Sequence, residues 1–178
     1  SDAQVADDDH AAEVEVPEPA ERSLMLDWRT PGSPEAVAKA LDMVLGARRP
    51  LILAGGGVIC SEASVELAAF ADHVNVPVYT SFMGKGALSA DHPLHLGIAG
   101  CWGEYPAQEA ARNADVILAF GCRFSDIHSS SWVPGYTYNI PPTKLIHVDI
   151  DPQEIGRNYP TEPGIVGDAR EVLRQLIE

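Results

Sequence analysis

The chain has 178 residues, 46% of them hydrophobic and 21% charged, which is the composition of one globular domain of ordinary size. Its formal net charge of −14 argues against nucleic acid or an anionic membrane surface as a partner. The sequence has no run of about 18 apolar residues, so it predicts no transmembrane helix. Its acidic start is not typical of a signal peptide, and we expect a cytoplasmic protein.

Half of the negative charge lies at the beginning of the chain. Residues 1–30 contain nine acidic and two basic residues, whereas the rest of the chain contains seventeen and ten. This first segment is also rich in Ala and Pro, and such a composition predicts an acidic linker or tail that is extended or partly disordered. We therefore predict one folded domain over residues 31–178.

Beyond the tail, short apolar segments alternate with amphipathic ones. A first helix is expected from Pro34, with Ser33 as its N-cap. Its apolar face is formed by Val37, Leu41, Val44 and Leu45. Strands are predicted at residues 50–55, 76–81, 115–121, 144–150 and 164–167. Further helices are predicted at residues 61–74, 105–114, 151–158 and 168–177, and long loops at 82–103 and 122–143.

Two of these helices have predicted acidic caps. Asp151 precedes Pro152 and stands three residues before Glu154, which is the spacing of a capping box. Asp168 precedes the last helix. The alternation of strands and helices predicts an α/β fold with a parallel sheet. Glycine-rich loops follow three of the strands, and ligands of such sheets bind at the carboxyl ends of strands, near a topological switch point.

The segment LILAGGGVIC, residues 51–60, ends an apolar strand in three glycines. Gly55 and Gly57 satisfy the start of a dinucleotide fingerprint, but Cys60 occupies the third glycine position. No acidic residue stands about 20 residues later to bind a ribose, so an NAD site is not expected. Two interpretations stay open: the glycines let the backbone approach another nucleotide, or they form a structural turn.

Two further segments place polar groups at strand ends. Arg123 follows a predicted strand and could bind a phosphate, with Asp126 orienting it or capping a turn, or the two could form a surface ion pair. Asp149 could accept a hydrogen bond from a ribose hydroxyl or an adenine amine, or it could have a structural role. His147, Asp149 and Asp151 alternate along one strand face, but they are too spread to converge, so we predict no metal site.

The three cysteines, Cys60, Cys101 and Cys122, have neither metal-ligand spacing nor a pairing pattern. We expect reduced thiols that behave as small buried residues. The sequence also has no G-x-S-x-G elbow, P-loop or H-E-x-x-H motif. From the residues alone, we predict a nucleotide- or cofactor-binding α/β domain without catalytic residues.

Several motifs, in order, resemble one known family. The segments are RPLILAGGGV, PVYTSFMGKGALSADHPLHLGIAG, ADVILAFGCRFSD, KLIHVDIDPQEIGRN and GIVGDAREVLRQL. Together they resemble the central domain of thiamine-diphosphate-dependent enzymes, and the acetohydroxyacid synthase (acetolactate synthase) branch is the most similar. The resemblance covers residues 34–178. It implies a Rossmann-like, doubly wound, six-stranded parallel sheet with helices on both faces, in which the domain binds FAD.

The resemblance also implies which residues contact that cofactor. Those near the adenosine part are Gly55, Gly56 and Gly57, and those near the flavin and ribityl chain are Thr80, Ser81, Phe82, Met83 and Gly84. The remaining matches are Gly100 and Gly103 in the next contact loop, Gly121, Arg123, Phe124 and Asp126 in the G-x-R-F-D-D segment, and Asp149 with Ile150 at the adenine end.

Five positions depart from the family pattern. Where the synthases have G-M-H-G-T, this chain has Cys101, Trp102 and Glu104 in place of the Met, His and Thr. Ser125 replaces the first Asp of R-F-D-D, and Ile127 replaces the Arg that follows it. The cofactor of this domain is therefore expected to be FAD or ADP.

For the parent enzyme, the resemblance implies transfer of a two-carbon unit from a decarboxylated 2-keto acid. Thiamine diphosphate and Mg²⁺ would be bound by flanking pyrimidine- and pyrophosphate-binding domains, in a homo-oligomer. The chain has no G-D-G…N-N segment for Mg²⁺ and pyrophosphate, so by itself it should be inactive. The alternatives are the central domain of a decarboxylase or lyase that binds ADP or nothing, a flavin electron-transfer domain, and a structural spacer.

Overall fold

The computed structural model describes residues 29–178. The tail predicted for residues 1–30 therefore lies almost entirely outside the described part. Its last two residues are attached to the domain: the Thr30 carbonyl accepts a hydrogen bond from the Asp168 amide at 2.8 Å, and Arg29 forms an ion pair with Asp168 at 3.6 Å.

Six strands form one sheet. They are β1 (Pro50–Ala54), β2 (Val78–Thr80), β3 (His95–Ile98), β4 (Val116–Phe120), β5 (Lys144–Asp149) and β6 (Gly164–Val166). All pairings are parallel and the strand order is β3-β2-β1-β4-β5-β6. This is the order of a doubly wound Rossmann-like sheet, so the predicted fold class is confirmed. The chain switches direction across the sheet between β1 and β4.

Residues 29–178 contain five α-helices, of which the first precedes β1, the next three lie between strands, and the last follows β6. They are α1 (Pro34–Gly46), α2 (Gly56–Cys60), α3 (Ser64–Val74), α4 (Tyr105–Asn113) and α5 (Ala169–Ile177). The central strands β1 and β4 are almost wholly buried, which explains their continuous apolar sequences. Within residues 29–178, no helix has the length and apolarity needed to cross a membrane.

The sheet separates two hydrophobic clusters, and the helices are distributed unequally between them. On one face, α1, α3 and α5 pack through residues such as Val44, Phe70 and Leu173. On the other face, α4 contributes Ala107 and Ala111, and much of the remaining cover comes from the loop after β4 and its aromatic side chains. Helices therefore lie on both faces, as predicted, but a long loop replaces helical cover on the second.

Four local predictions were wrong, and the first three concern β3, α2 and α1. Strand β3 lies inside the segment predicted as a loop, because its sequence HLGI contains glycine and it forms the partly exposed edge of the sheet. Helix α2 continues directly from the glycine triplet and was not predicted. Leu45 is exposed rather than on the apolar face of α1, whose buried residues are Val37, Ala40 and Val44.

Residues 151–158 form turns and not the predicted helix. The predicted capping box does not form because the Asp151 amide donates to Asp149 Oδ1 at 3.0 Å, while Glu154 Oε1 accepts from Arg157 at 2.9 Å. Gly156 has a φ of +72°, which ends any helical continuation. Of the other two predicted caps, Asp168 is confirmed, because it accepts from the first amides of α5. Ser33 occupies the N-cap position of α1, but its side chain forms no capping hydrogen bond.

Candidate functional site

A cavity of about 810 Å³ lies over the carboxyl ends of the strands. Its wall contains residues that follow every strand of the sheet, and it is therefore centred on the switch point between β1 and β4. Ligands of open α/β sheets bind at this position, and the volume is within the range of about 300–1,000 Å³ that is usual for small-molecule sites.

Ten of the sixteen predicted site residues line this cavity. They are Gly56, Gly57, Ser81, Phe82, Met83, Gly121, Arg123, Phe124, Asp149 and Ile150. The structure thus brings together residues that are up to 94 positions apart in the sequence, as the distance from Gly56 to Ile150 along the chain shows.

The other six predicted residues lie beside or beneath the wall. A Cβ atom at Gly55 would lie 2.1 Å from the Gly121 carbonyl oxygen, and one at Gly84 would lie 2.1 Å from the Ala54 carbonyl oxygen. Thr80 is buried and donates to the Gly97 carbonyl at 3.5 Å. The remaining three are Gly100, packed against the His128 backbone, Gly103, packed against Gln108, and Asp126, which accepts from the Ile127 amide.

The glycine triplet is held by its neighbours' backbones. The Gly55 amide donates to the Phe120 carbonyl at 2.8 Å, and the Gly57 amide donates to the Gly121 carbonyl at 3.1 Å. A Cβ at Gly57 would lie 2.6 Å from the Cα of Gly121. Glycine is therefore required at Gly55 and Gly57, because the backbones of two loops approach too closely there for a Cβ atom. Gly56 is different, since its nearest neighbour would be the Met83 Cβ at 3.2 Å.

Arg123 lies on the cavity wall with 78% of its side chain exposed. Its guanidinium is 4.0 Å from Glu154 Oε1, and Asp126 caps a turn instead of orienting it. The Arg123–Asp126 ion pair considered from the sequence is therefore not formed. Because most of its side chain is exposed, the Arg123 guanidinium can also bind an anionic group in the cavity.

Asp149 is a nearly buried carboxylate at the end of β5. Its Oδ1 accepts from the Asp151 amide at 3.0 Å, and its Oδ2 lies 4.0 Å from His147 Nε2. Burial lowers the pKa of His147 below its usual value, although the Asp149 carboxylate opposes this shift. Among residues 29–178, no three His, Cys, Asp or Glu side chains converge on a point that could hold a metal ion.

A buried polar chain supports the cavity from the second face of the sheet. The Tyr79 hydroxyl donates to the Tyr138 hydroxyl at 3.1 Å, and the Tyr138 hydroxyl lies 2.6 Å from His128 Nε2. Burial lowers the pKa of His128 to about 4 and raises those of Tyr79 and Tyr138 well above 10, so all three are neutral at pH 7. His128 also lines the cavity. It was not predicted from the sequence, because the hydrogen bond that marks it joins it to Tyr138, ten residues away.

Three other lining residues were missed or misjudged. Arg29 was assigned to the tail, but it donates to the Ser61 carbonyl at the cavity wall. Cys60 and Cys101 are exposed, which contradicts the expectation that they are buried. Cys122 is buried as expected, and burial raises its pKa to about 12.

The five departures from the family pattern are distributed around the site. Four of them line the cavity, namely Cys101, Trp102, Ser125 and Ile127. Trp102 contacts Phe82, with a distance of 5.5 Å between ring centroids. The Glu104 carboxylate lies over Gly97, where it would be 2.6 Å from an added Cβ.

The chain is similar in sequence to a defined family. The family model described as thiamine pyrophosphate enzyme, central domain, matches residues 37–176. The chain is 47% identical over 149 residues to the "Probable acetolactate synthase large subunit" of Methanocaldococcus jannaschii, covering 84% of this chain and 24% of that protein. It is 39% identical over 153 residues to the acetolactate synthase large subunit of Corynebacterium glutamicum, covering 85% and 24%.

A solved structure supports the fold. The structure described as "X-ray structure of a putative thiamin diphosphate-dependent enzyme isolated from Mycobacterium smegmatis" superposes with a TM-score of 0.67 at 23% sequence identity. The superposition covers 84% of this chain and 29% of that one. The chain spans about a quarter of the length of the curated relatives it matches.

Proposed function

This chain belongs to the thiamine pyrophosphate enzyme family, in which it corresponds to the central domain, and from this premise we propose that its cavity binds an adenine nucleotide, FAD or ADP. The observation that carries the proposal is the position of the cavity. It lies at the switch point of the sheet, and Gly56 and Gly57 lie in its wall. A ligand can therefore approach the backbone of the β1–α2 connection, with Met83 as the neighbour of Gly56.

The chemistry of the wall fits such a ligand. Apolar and aromatic side chains suit planar rings. The Arg123 guanidinium suits a phosphate, and the Asp149 carboxylate suits a ribose hydroxyl or an adenine amine. In this assignment, Gly56, Gly57 and Asp149 with Ile150 lie toward the adenosine, and Ser81, Phe82 and Met83 lie toward the other end.

For the parent enzyme, we propose an acetolactate-synthase-like transfer of a two-carbon unit from a decarboxylated 2-keto acid. Thiamine diphosphate and Mg²⁺ would supply the decarboxylation and carbon–carbon chemistry when bound by flanking domains. This chain would supply a cofactor site and surface for those domains, in a homo-oligomeric assembly. The similarity to acetolactate synthase large subunits supports the proposal.

Calorimetric titration of the 178-residue chain with FAD and with ADP tests the cofactor assignment. Arg123→Gln should weaken binding of both by about tenfold, because a charge-assisted hydrogen bond is worth about 1.5–3 kcal/mol. Arg157→Gln is the matched control, since Arg157 also contacts Glu154 but does not line the cavity. Asp149→Asn tests the adenosine end and should also weaken binding of both nucleotides. Asp151→Asn is its control, since Asp151 does not line the cavity.

The outcomes separate the alternatives. Binding of neither nucleotide would refute the cofactor assignment and favour a structural spacer. A bound flavin that passes electrons to a dye in this chain alone would favour the electron-transfer domain. Binding of ADP but not FAD would favour the decarboxylase or lyase. For the parent, the sequence of the intact gene product is decisive, because a thiamine-dependent enzyme must contain a G-D-G…N-N segment.

A further inference from the structure

A second cavity lies at the opposite edge of the sheet from the main one. Its volume is about 380 Å³, and it is formed where β1 and β2 begin and where α4 ends. Strand β1 separates the two cavities, since Pro50 at its start lines the second and Gly56, just beyond its end, lines the first. A strand of five residues is roughly 16 Å long. A small ligand of the second cavity would therefore not touch the main one.

The lining of this second cavity divides into an apolar part and a polar part. The apolar residues are buried or half-buried, and the polar residues at the mouth are exposed; the first group is Pro50, Leu51, Pro77 and Ala110, and the second is Arg48, Arg49, Asn75 and Asn113. None of these eight described residues is acidic. The volume lies near the lower end of the range of about 300–1,000 Å³ for small-molecule sites, so the cavity suits a compact ligand.

The two arginines at the mouth have no carboxylate partner. Of the eight arginines in residues 29–178, six form an ion pair within 4.0 Å, and the two that do not are Arg48 and Arg49. The neighbouring Asp115 carboxylate is instead bound by their backbone, because it accepts from the Arg48 amide at 2.8 Å and from the Arg49 amide at 2.9 Å. Arg49 Nε donates to the Asn113 carbonyl. The backbone of the pair is thus held in place, while both guanidiniums keep N–H groups for a further acceptor.

We propose that this cavity is a second ligand site, which binds the carboxylate or phosphate group of a small molecule that also carries a short apolar chain. A guanidinium donates two parallel hydrogen bonds to such an oxyanion. An anion between Arg48 and Arg49 also offsets the repulsion between their like charges. The apolar part of the lining receives the chain of the ligand. The inference goes beyond the proposed function and involves none of the residues of the nucleotide site.

NMR titration of the 178-residue chain tests this site with four probes at constant ionic strength. Butanoate and butyl phosphate each carry an oxyanion and an apolar chain, inorganic phosphate has no chain, and 1-butanol has no charge. Butanoate or butyl phosphate should shift the amide resonances of Arg48, Leu51 and Asn75, whereas 1-butanol should not. Inorganic phosphate should bind at least about fivefold more weakly than butyl phosphate, because it buries no apolar surface. The tighter of the two chain-bearing probes identifies the oxyanion that the site prefers.

Three variants test the role of the arginine pair. Arg48→Gln keeps the amide that bonds to Asp115 but loses the guanidinium, and it should weaken binding of the tighter probe by about tenfold or more. Arg48→Lys keeps the charge without the two parallel donors, so it should weaken binding by less. Lys144→Gln is the matched control, because Lys144 is an exposed cation at the start of β5 that does not line the cavity. It should change the affinity by less than about twofold.

The contrary outcomes are distinct from failure of the proposed function. Shifts confined to residues 121–126 would assign the anion to Arg123 in the main cavity and would refute this inference. Equal losses in Arg48→Gln and Lys144→Gln would mean a general attraction of anions to this edge and no defined site. If neither butanoate nor butyl phosphate moves the resonances of Arg48 and Leu51 in the wild type, the inference is wrong and the nucleotide site is unaffected. The wild-type titration decides the matter by itself if a variant fails to fold.

Discussion

The amide nitrogen of Gly57 lies 3.1 Å from the carbonyl oxygen of Gly121 and donates a hydrogen bond to it, so that two loops of the site are in direct backbone contact. Gly121 also has a φ of +56°, which is left-handed, and its own amide donates to the Val148 carbonyl at 2.8 Å. These bonds link the ends of β1, β4 and β5. At this contact the two backbones are too close for a Cβ atom at either Gly57 or Gly121.

Gly121→Ala should destabilise the chain strongly. A Cβ there would lie 2.4 Å from the Gly57 Cα, and it would also occupy a left-handed conformation. We expect the free energy of unfolding, measured by urea denaturation, to fall by about 3 kcal/mol or more. Gly46→Ala is the matched control: its Cβ would meet nothing within 4 Å, and it should be neutral or stabilising by up to about 1 kcal/mol. A neutral Gly121→Ala would contradict this packing.

Buried His128 should make stability depend on pH. Its pKa is about 4 in the folded chain, against 6.5 when unfolded, because burial disfavours the charged imidazole. The unfolded chain therefore takes up the proton first as the pH falls. Above about pH 6.5, His128 causes no loss of stability. As the pH falls from there to about pH 4, the free energy of unfolding should decrease by roughly 3 kcal/mol because of this residue.

Measuring the free energy of unfolding between pH 4 and pH 7 checks this contribution. In His128→Gln, which can still accept from Tyr138, the slope over this range should be shallower than in the wild type. Equal slopes for His128→Gln and the wild type would mean that His128 is not held neutral.

The three cysteines should react differently with iodoacetamide. Cys60 and Cys101 are exposed, whereas Cys122 is buried and its pKa is raised to about 12, so it carries almost no thiolate at pH 8. Mass spectrometry should detect two adducts on the folded chain and a third only after unfolding. If the proposed nucleotide site is correct, saturating FAD should slow the reaction of Cys60 and Cys101, which line the cavity. A third adduct on the folded chain would show that Cys122 is accessible.

The loop after β4 contains a strained turn. Ser130, Ser131 and Trp132 all have left-handed backbone angles, with φ values of 48°, 54° and 57°. Such angles cost a non-glycine residue about 1–2 kcal/mol. Trp132 Nε1 donates to the Phe124 carbonyl at 2.8 Å, and Ser130 Oγ lies 2.7 Å from Thr137 Oγ1, which holds the turn in place.

Ser131→Gly should therefore stabilise the chain by up to about 1 kcal/mol in urea denaturation, because glycine adopts left-handed angles without a Cβ clash. Ser131 is exposed, so little else changes. Ser125 is an exposed serine without a left-handed backbone angle. Ser125→Gly should instead lower the free energy of unfolding by up to about 1 kcal/mol, because glycine raises the conformational entropy of the unfolded chain. Loss of stability in both variants would show that the turn is not strained.

Much of the fold was predictable because buried strands have strong local signals. The segments PLILAG, DVILAFG and KLIHVDI are continuous apolar runs, and each is a central strand of the sheet. The family resemblance, confirmed by the match over residues 37–176, supplied the sixth strand that local patterns did not. Edge strand β3 and the turns at 151–158 were missed because their conformation depends on neighbours: pairing with β2 in one case, and the Asp149 carboxylate in the other.

The candidate site was only partly predictable for a related reason. Glycines and polar groups at strand ends marked its floor, because a parallel sheet brings the carboxyl ends of its strands to one edge. His128, Arg29 and the exposure of Cys60 had no sequence signal, since each depends on contacts made by distant segments.

By itself, then, the sequence determined the α/β class, the central strands, the last helix with its Asp168 cap, and the strand ends at which a ligand could bind. These follow from periodicity, capping chemistry and glycine positions, all of which act over a few residues. Only the tertiary structure decided the roles of the three glycines in the segment LILAGGGVIC. Gly55 and Gly57 are fixed by the backbone of Gly121, more than sixty residues away, and Gly56 faces Met83 in the cavity wall. The three identical residues thus have two roles, because each role is set by the atoms that pack against the glycine.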